Sequence, residues 1–302
     1  MNFIPGYLAL YESGELDSRI EELMSILESC TLCPRECQAN RLEGELGICR
    51  AGSGLKISSA SPHFGEEPPL VGQNGSGTIF LTHCNLRCVF CQNYDISHLG
   101  EGAEISPEEM AKYMVALQTR GCHNINFVTP THFVPQIVSA LPEAIEMGLR
   151  LPLVYNCGGY ESLKVIRLLE NIVDIYMPDT KFADTEVARK YCDAPDYPDV
   201  SKRVLKEMHC QVGVLQVDRK GIAEQGVLIR HLVMPERLAG TEKVMRFIAE
   251  ELSPDSYVNI MIQYYPQHMA YQYPELSRRV TPKEFQDAIA IARSFGLHRG
   301  FS

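Results

Sequence analysis

From about residue 57 onward the chain alternates between two textures. Short runs rich in β-branched and aromatic residues stand at 78–82, 124–129, 153–156, 172–177, 227–234 and 257–263, and helix-like stretches separate them. Residues of that kind suit strands, and the alternation predicts a parallel sheet with crossover helices. Two helix starts are explicit. Ser106-Pro107-Glu108-Glu109 is a capping box with proline at the first helical position, followed at helical spacing by Met110, Met114 and Leu117 up to Gly121. Thr281-Pro282-Lys283-Glu284 repeats the signal before Phe285, Ala288, Ile289, Ala292 and Phe295, a stripe that stops at Gly296. Six such βα units are too few for a closed eight-fold barrel of roughly 250 residues and suit an open one, with a lateral opening for substrate. The run at 211–218 is expected to be an additional strand, turned back by Arg219-Lys220-Gly221 into the fifth.

Residues 1–54 read differently. A polar, helix-like segment at 15–29 precedes Cys30, Cys33, Cys37 and Cys49, and Gly44, Gly47, Gly52 and Gly54 punctuate the loop. The expectation is a small metal-stapled appendage over 1–54 and a catalytic unit over 55–302.

Composition narrows the class. With 45% hydrophobic residues the chain can bury a large core, and its net charge of -10 argues against a general nucleic-acid or anionic-membrane footprint. Small molecules or a protein partner are favoured. No stretch approaches the roughly 20 apolar residues of a membrane span, and residues 1–14 lack the layout of a signal peptide, so a cytoplasmic protein is expected. Eleven cysteines, several at metal-ligand spacing, favour metal binding in a reducing compartment over a disulfide framework.

In parallel barrels and sheets, chemistry gathers at the carboxyl ends of the strands. Cys84, Cys88 and Cys91 follow the first strand, Thr129-Pro130-Thr131-His132 the second, Asn156-Cys157-Gly158-Gly159 the third, and Asp179 with Lys181 the fourth; Arg230 and His231 lie in the fifth, and Tyr265-Pro266-Gln267-His268 follows the sixth. One mouth is expected to receive them all. The three cysteines can hold three corners of a cubane iron-sulfur cluster, and no fourth follows nearby, which leaves one iron open.

Cys84-x3-Cys88-x2-Cys91, with Phe90 before the last cysteine, resembles the radical S-adenosylmethionine enzymes, whose usual fold is a partial (β/α)6 barrel. The likeness runs over about 75–295. Within that superfamily Cys84 to Asn93 resembles the pyruvate formate-lyase activating enzymes, with Gln92 a departure; the preceding cysteine set is similar to that of an activase-like branch. The resemblance implies a 4Fe-4S cluster on Cys84, Cys88 and Cys91 that binds S-adenosylmethionine and cleaves it reductively to a 5'-deoxyadenosyl radical, which abstracts hydrogen. It implies a flavodoxin- or ferredoxin-type electron donor and a glycyl-radical enzyme as protein substrate. By position, Phe90 would lie against the adenine, Asp179 in Met177-x-Asp179-x-Lys181 would help hold a monovalent cation, and Lys181 and Arg230 would approach the cofactor carboxylate. His268 matches the histidine after the last activase strand. Asn156 stands where activases carry an aspartate ligand, and Thr129-Pro130-Thr131 where relatives carry the Gly-Gly-Glu that meets the methionine amino group.

Cys30, Cys33, Cys37 and Cys49 supply four thiolates, enough for a structural zinc or an auxiliary iron-sulfur cluster. In activases with extra clusters the insert follows the radical motif; here it precedes it. Cys122, Cys192 and Cys210 read as small hydrophobes, and Cys157 stands out only by its place at the mouth. Arg299-Gly300-Phe301 has a faint likeness to a glycyl-radical site but falls at a terminus expected to fray. Three functions fit: activation of a glycyl-radical enzyme; radical modification of a small molecule, RNA or another polypeptide; and a non-enzymatic metal or cluster scaffold.

Overall fold

The structure is a computed structural model and describes residues 3–301. Among the described residues nine strands form one mixed sheet: β1 (Leu55–His63), β2 (Ser76–Leu81), β3 (Ala103–Ile105), β4 (Ile125–Val128), β5 (Leu153–Cys157), β6 (Ile175–Pro178), β7 (Gln216–Val217), β8 (Ala223–Leu232) and β9 (Tyr257–Met261). The six expected strands are β2, β4, β5, β6, β8 and β9, all parallel and adjacent in that order. Among the described residues no pairing joins β9 back to the first strands, so the barrel is open. The sequence reading omitted β1 and β3, which add an antiparallel edge beyond β2.

Both capping boxes form: Ser106 and Thr281 each accept from the backbone N–H three residues on, and Glu109 and Glu284 reach back to the cap. Helices Pro107–Thr119 and Pro282–Ser294 follow. The strand expected over 211–218 is mostly absent. Gln211 and Val212 end the long helix Tyr197–Val212, and what pairs with β8 is Gln216–Val217 together with a single bridge from Val214 to Val227. Apolar residues at helical spacing, Val204, Leu205, Met208 and Val212, are buried and carry the helix through. The chain is held rather than frayed at Arg299, because Val258 donates to the Arg299 carbonyl and Arg299 in turn donates to that of Leu215.

Side-chain alternation along the strands divides the interior in two. Val154, Ile175, Met177 and Leu228 face the lumen together with Leu70 and Leu215, whereas Tyr155, Cys157, Tyr176, Val227 and Ile229 face the helices. The amino-terminal helices Gly6–Ser13 and Glu15–Ser25 join the second group: Tyr7, Leu16, Leu23 and Leu27 are buried in one core with the barrel's outer layer. Tyr7 donates to Leu151 and the Gly6 N–H to Asp174, which anchors the start of the chain at the amino-terminal ends of β5 and β6. The cysteine-rich loop that follows comes to the opposite end. There Arg41, 1% exposed, donates to the carbonyls of Gly52 and His132.

Candidate active site

The loop after β2 carries Cys84, Cys88 and Cys91 and is pinned on every side. Asn85 donates to the Tyr160 carbonyl at 2.7 Å, Val89 to the Tyr191 carbonyl at 2.9 Å, and the Met269 N–H to the Val89 carbonyl at 2.9 Å. Gln92 donates to the Gln263 carbonyl beyond β9, so the loop ties the first parallel strand to the last where the sheet itself stays open.

Each of the three thiols has a hydrogen-bond partner. The Leu86 N–H donates to Cys84 at 3.4 Å, the Cys192 thiol to Cys88 at 3.1 Å, and the Ser97 hydroxyl lies 3.1 Å from the Cys91 sulfur. Burial pushes the Cys84 thiol up to about 12, and the nearby thiols of Cys88 and Cys91 push it the same way. A positively charged metal centre would reverse that balance, and Cys84, Cys88 and Cys91 would then hold it as thiolates. Among the described residues no three His, Cys, Asp or Glu side chains already converge on a single ion position. A cubane does not require it, since its thiolates sit on separate irons around the cluster body. One loop with three mutually coupled thiols therefore fits the group.

Beside this loop, on the lumen side, a polar network joins the ends of three strands, β5, β6 and β8. Asp179 accepts from Lys181 at 2.6 Å and from Arg230 at 2.9 Å, and Arg230 also donates to Asn156 at 2.6 Å. Burial pushes the Asp179 carboxyl up, but the two cations outweigh it and leave it below its usual range. Gly159 makes the approach feasible: it adopts φ +74, and a Cβ there would fall 2.2 Å from the Asp179 carbonyl.

The segment after β1 completes this network. Glu66 accepts from Asn126 at 3.1 Å and lies 3.6 Å from Arg230, while Glu67 accepts from Asn259 at 2.8 Å. β4 and β8 are separated by two strands in the sheet, so their shared contact with Glu66 reports the curvature that encloses the lumen. The second carboxylate oxygen of Glu67 and the amide oxygen of Asn126 are buried without partners. Burial pushes the Glu66 carboxyl up against the opposing pull of Arg230. These residues escaped the sequence reading, although the pair of carboxylates at Glu66-Glu67-Pro68-Pro69 was a usable signal.

Other expected residues have other surroundings. Phe90 is buried edge-on to Phe182 and Tyr264, at 5.9 and 6.0 Å between ring centres. His268 stacks on Tyr94 at 5.2 Å and lies 4.5 Å from the His98 ring, beside the cysteine loop. Burial and the charge of Arg87 lower both histidines, His98 to about 4. Thr129 has φ +60 and gives its N–H to the Asn156 carbonyl. The single mouth expected for every strand-end residue is corrected by alternation. Cys157 faces the helices near Glu161, and His231 bonds Thr180 and Thr241 in the same outer layer.

Cys30, Cys33, Cys37 and Cys49 share one loop. Burial pushes the Cys33 and Cys49 thiols up, with further upward pushes from Cys30 and, at Cys49, from Cys37. A Cβ at Gly47 would stand 2.3 Å from the Cys37 sulfur, so a glycine is required where the loop closes over it. Arg35 leaves this loop to bond the carbonyls of Asn85 at 3.0 Å and Cys192 at 2.7 Å, as well as that of Asp193, with its guanidinium 5.3 Å from the Tyr160 ring centre. The two cysteine loops are thus in direct contact through one side chain.

Comparison with known proteins agrees with the class this loop and sheet define. The profile described as Radical SAM superfamily matches residues 78–213. The chain thus carries a radical SAM superfamily domain over those residues. A relative, Uncharacterized protein MJ0674 of Methanocaldococcus jannaschii, is 34% identical over 306 residues, which cover 98% of this chain and 83% of the relative. Among solved structures, a radical SAM methyltransferase from Sphaerobacter thermophilus superposes with a TM-score of 0.49 at 14% identity, covering 74% of this chain and 65% of the other. Methylornithine synthase (PylB) gives 0.45 at 13% identity, covering 72% and 67%.

Proposed function

We propose that the protein is a hydrogen-abstracting radical SAM enzyme acting on a substrate admitted at the open side of the barrel, in the manner of the glycyl-radical activases. The observation that carries the cofactor part is the placement of Lys181 and Asp179 near enough for their charges to act on the Cys88 sulfur, within the network that also holds Asn156 and Arg230. When bound, a 4Fe-4S cluster with S-adenosylmethionine on its open iron supplies reductive sulfonium cleavage and a 5'-deoxyadenosyl radical. The chain's own part is placement. Lys181 and Arg230 offer cations for a carboxylate, Asp179 orients both, and Phe90 stiffens the loop from beneath. Support for a glycyl-radical enzyme as substrate is the sequence likeness around Cys84–Asn93 and Met177-x-Asp179-x-Lys181.

A second reading, a small molecule bearing a cationic donor, is favoured by Glu67 and Asn126, whose unpartnered buried oxygens lie in the lumen with Glu66. An unsatisfied buried acceptor costs about 1–3 kcal/mol, which a donor from an entering molecule would recover. The amino-terminal cysteines support a third element, an auxiliary iron-sulfur cluster or zinc held by Cys30, Cys33, Cys37 and Cys49.

Anaerobic reconstitution followed by assay for 5'-deoxyadenosine tests the cofactor reading. With dithionite and S-adenosylmethionine present, product is expected from the native chain and none from Cys88→Ala; an intact cluster without product rejects radical catalysis. Deuterium transfer from labelled donors then separates the substrates. Transfer from a labelled partner glycine supports activation, whereas transfer from a labelled small amine alone rejects it.

A further inference from the structure

Cys192 lies 104 residues from Cys88 in sequence, yet their sulfurs are 3.1 Å apart and both residues are buried. The placement is set by backbone. Cys192 ends the helix Thr185–Cys192, Asp193 turns it off in the left-handed conformation, and the Tyr191 carbonyl accepts from Val89 in the cysteine loop. Arg35 fixes the same helix end through the carbonyls of Cys192 and Asp193. The thiol itself is not needed to hold the loop.

Resting on the cluster reading above, a sulfur of Cys88 bound to iron carries no proton, so only Cys192 can donate within this pair. We propose that Cys192 is a positioning residue whose S–H donates to the Cys88 sulfur and raises the reduction potential of the cluster. Reduction adds negative charge to the cluster, and part of that charge spreads onto the ligand sulfurs. A donor aimed at such a sulfur stabilises the reduced state more than the oxidised one. Burial strengthens the effect, because little water competes for the sulfur. Lys181 faces the same sulfur with a positive charge and Asp179 with a negative one. Leu86 and Ser97 already serve the other two ligand sulfurs, and Cys192 gives Cys88 a donor as well.

The test uses the full chain, reconstituted anaerobically, with the cluster's midpoint potential read by EPR during redox titration. Cys192→Ala should titrate at a more negative potential than the native chain, and Cys192→Ser, which keeps a donor, should move back toward it. In deuterated buffer, pulsed ENDOR should detect one exchangeable proton coupling in the native protein that Cys192→Ala lacks. Equal potentials for the native chain and Cys192→Ala, or equal shifts in the alanine and serine variants, would overturn the proposal while leaving the cluster assignment intact. Absence of any cubane signal in the native chain would overturn both.

Discussion

Asp179 is the residue on which the candidate site balances. Its carboxylate meets two cations in a largely buried setting, so Asp179→Ala leaves Lys181 without its partner and Arg230 with weaker ones. Breaking such a pair costs about 3–5 kcal/mol, an effect that a denaturant unfolding midpoint would register as a clear drop. Glu161 poses the opposite case. Burial raises its carboxyl to about 7 despite the hydroxyls of Tyr155 and Thr131 that bond it. Its folded value exceeds its unfolded one, so its contribution to stability is complete below the unfolded value and is lost as pH rises through about 7. Glu161→Gln keeps a neutral side chain throughout. Melting temperatures taken between pH 5 and 8 should therefore fall less with rising pH in this variant than in the native chain. A parallel fall in both would refute that account.

At the scale of elements, the two capping boxes and the cysteine loops make separate predictions. Thr281→Ala removes the side-chain bond to the Glu284 N–H and should cost about 1 kcal/mol by chemical denaturation. Arg35 connects two elements instead of ending one. Arg35→Ala removes the bonds to Asn85, Cys192 and Asp193, and the carbonyls it leaves face the gap between the cysteine loops. The expected result is a cysteine loop at 84–91 that exchanges its amide hydrogens faster, measured by hydrogen–deuterium exchange, while the helix Pro282–Ser294, which none of these bonds touches, stays unchanged. The caps could be read directly because a capping box is local, four residues from end to end. Arg35 could not, because its partners lie 50 to 158 residues away.

For the whole molecule, the amino-terminal 54 residues are the question. Tyr7, Leu16, Leu23, Leu27 and Leu32 are each buried to within a percent of completeness in the core shared with the barrel helices. Burying a large apolar side chain is worth about 1.5–3 kcal/mol, so five of them rival the entire stability of an ordinary domain. A chain that starts at Leu55 is expected to be insoluble or molten, with strong binding of a hydrophobic dye. A cooperative melt of that fragment near the native temperature would show instead that the barrel stands alone. Among the described residues no helix is long and apolar enough to cross a membrane.

What could be read from the chain alone was whatever is local or periodic: six parallel strands, two capped helices, and three cysteines in one loop beside strand-end polar residues. Strand register was not local. It decided that Asn156, Asp179 and Arg230 share the lumen while Cys157 and His231 turn to the helices, since each strand alternates faces and a shift of one position exchanges them. Tertiary closure alone brought Glu66 across to Arg230 and Cys192 against Cys88, contacts that no spacing encodes. The sequence by itself determined the class of chemistry at residues 84 to 91. The folded chain determined which distant donors surround those sulfurs, because only the packing of a helix end onto the loop sets that distance.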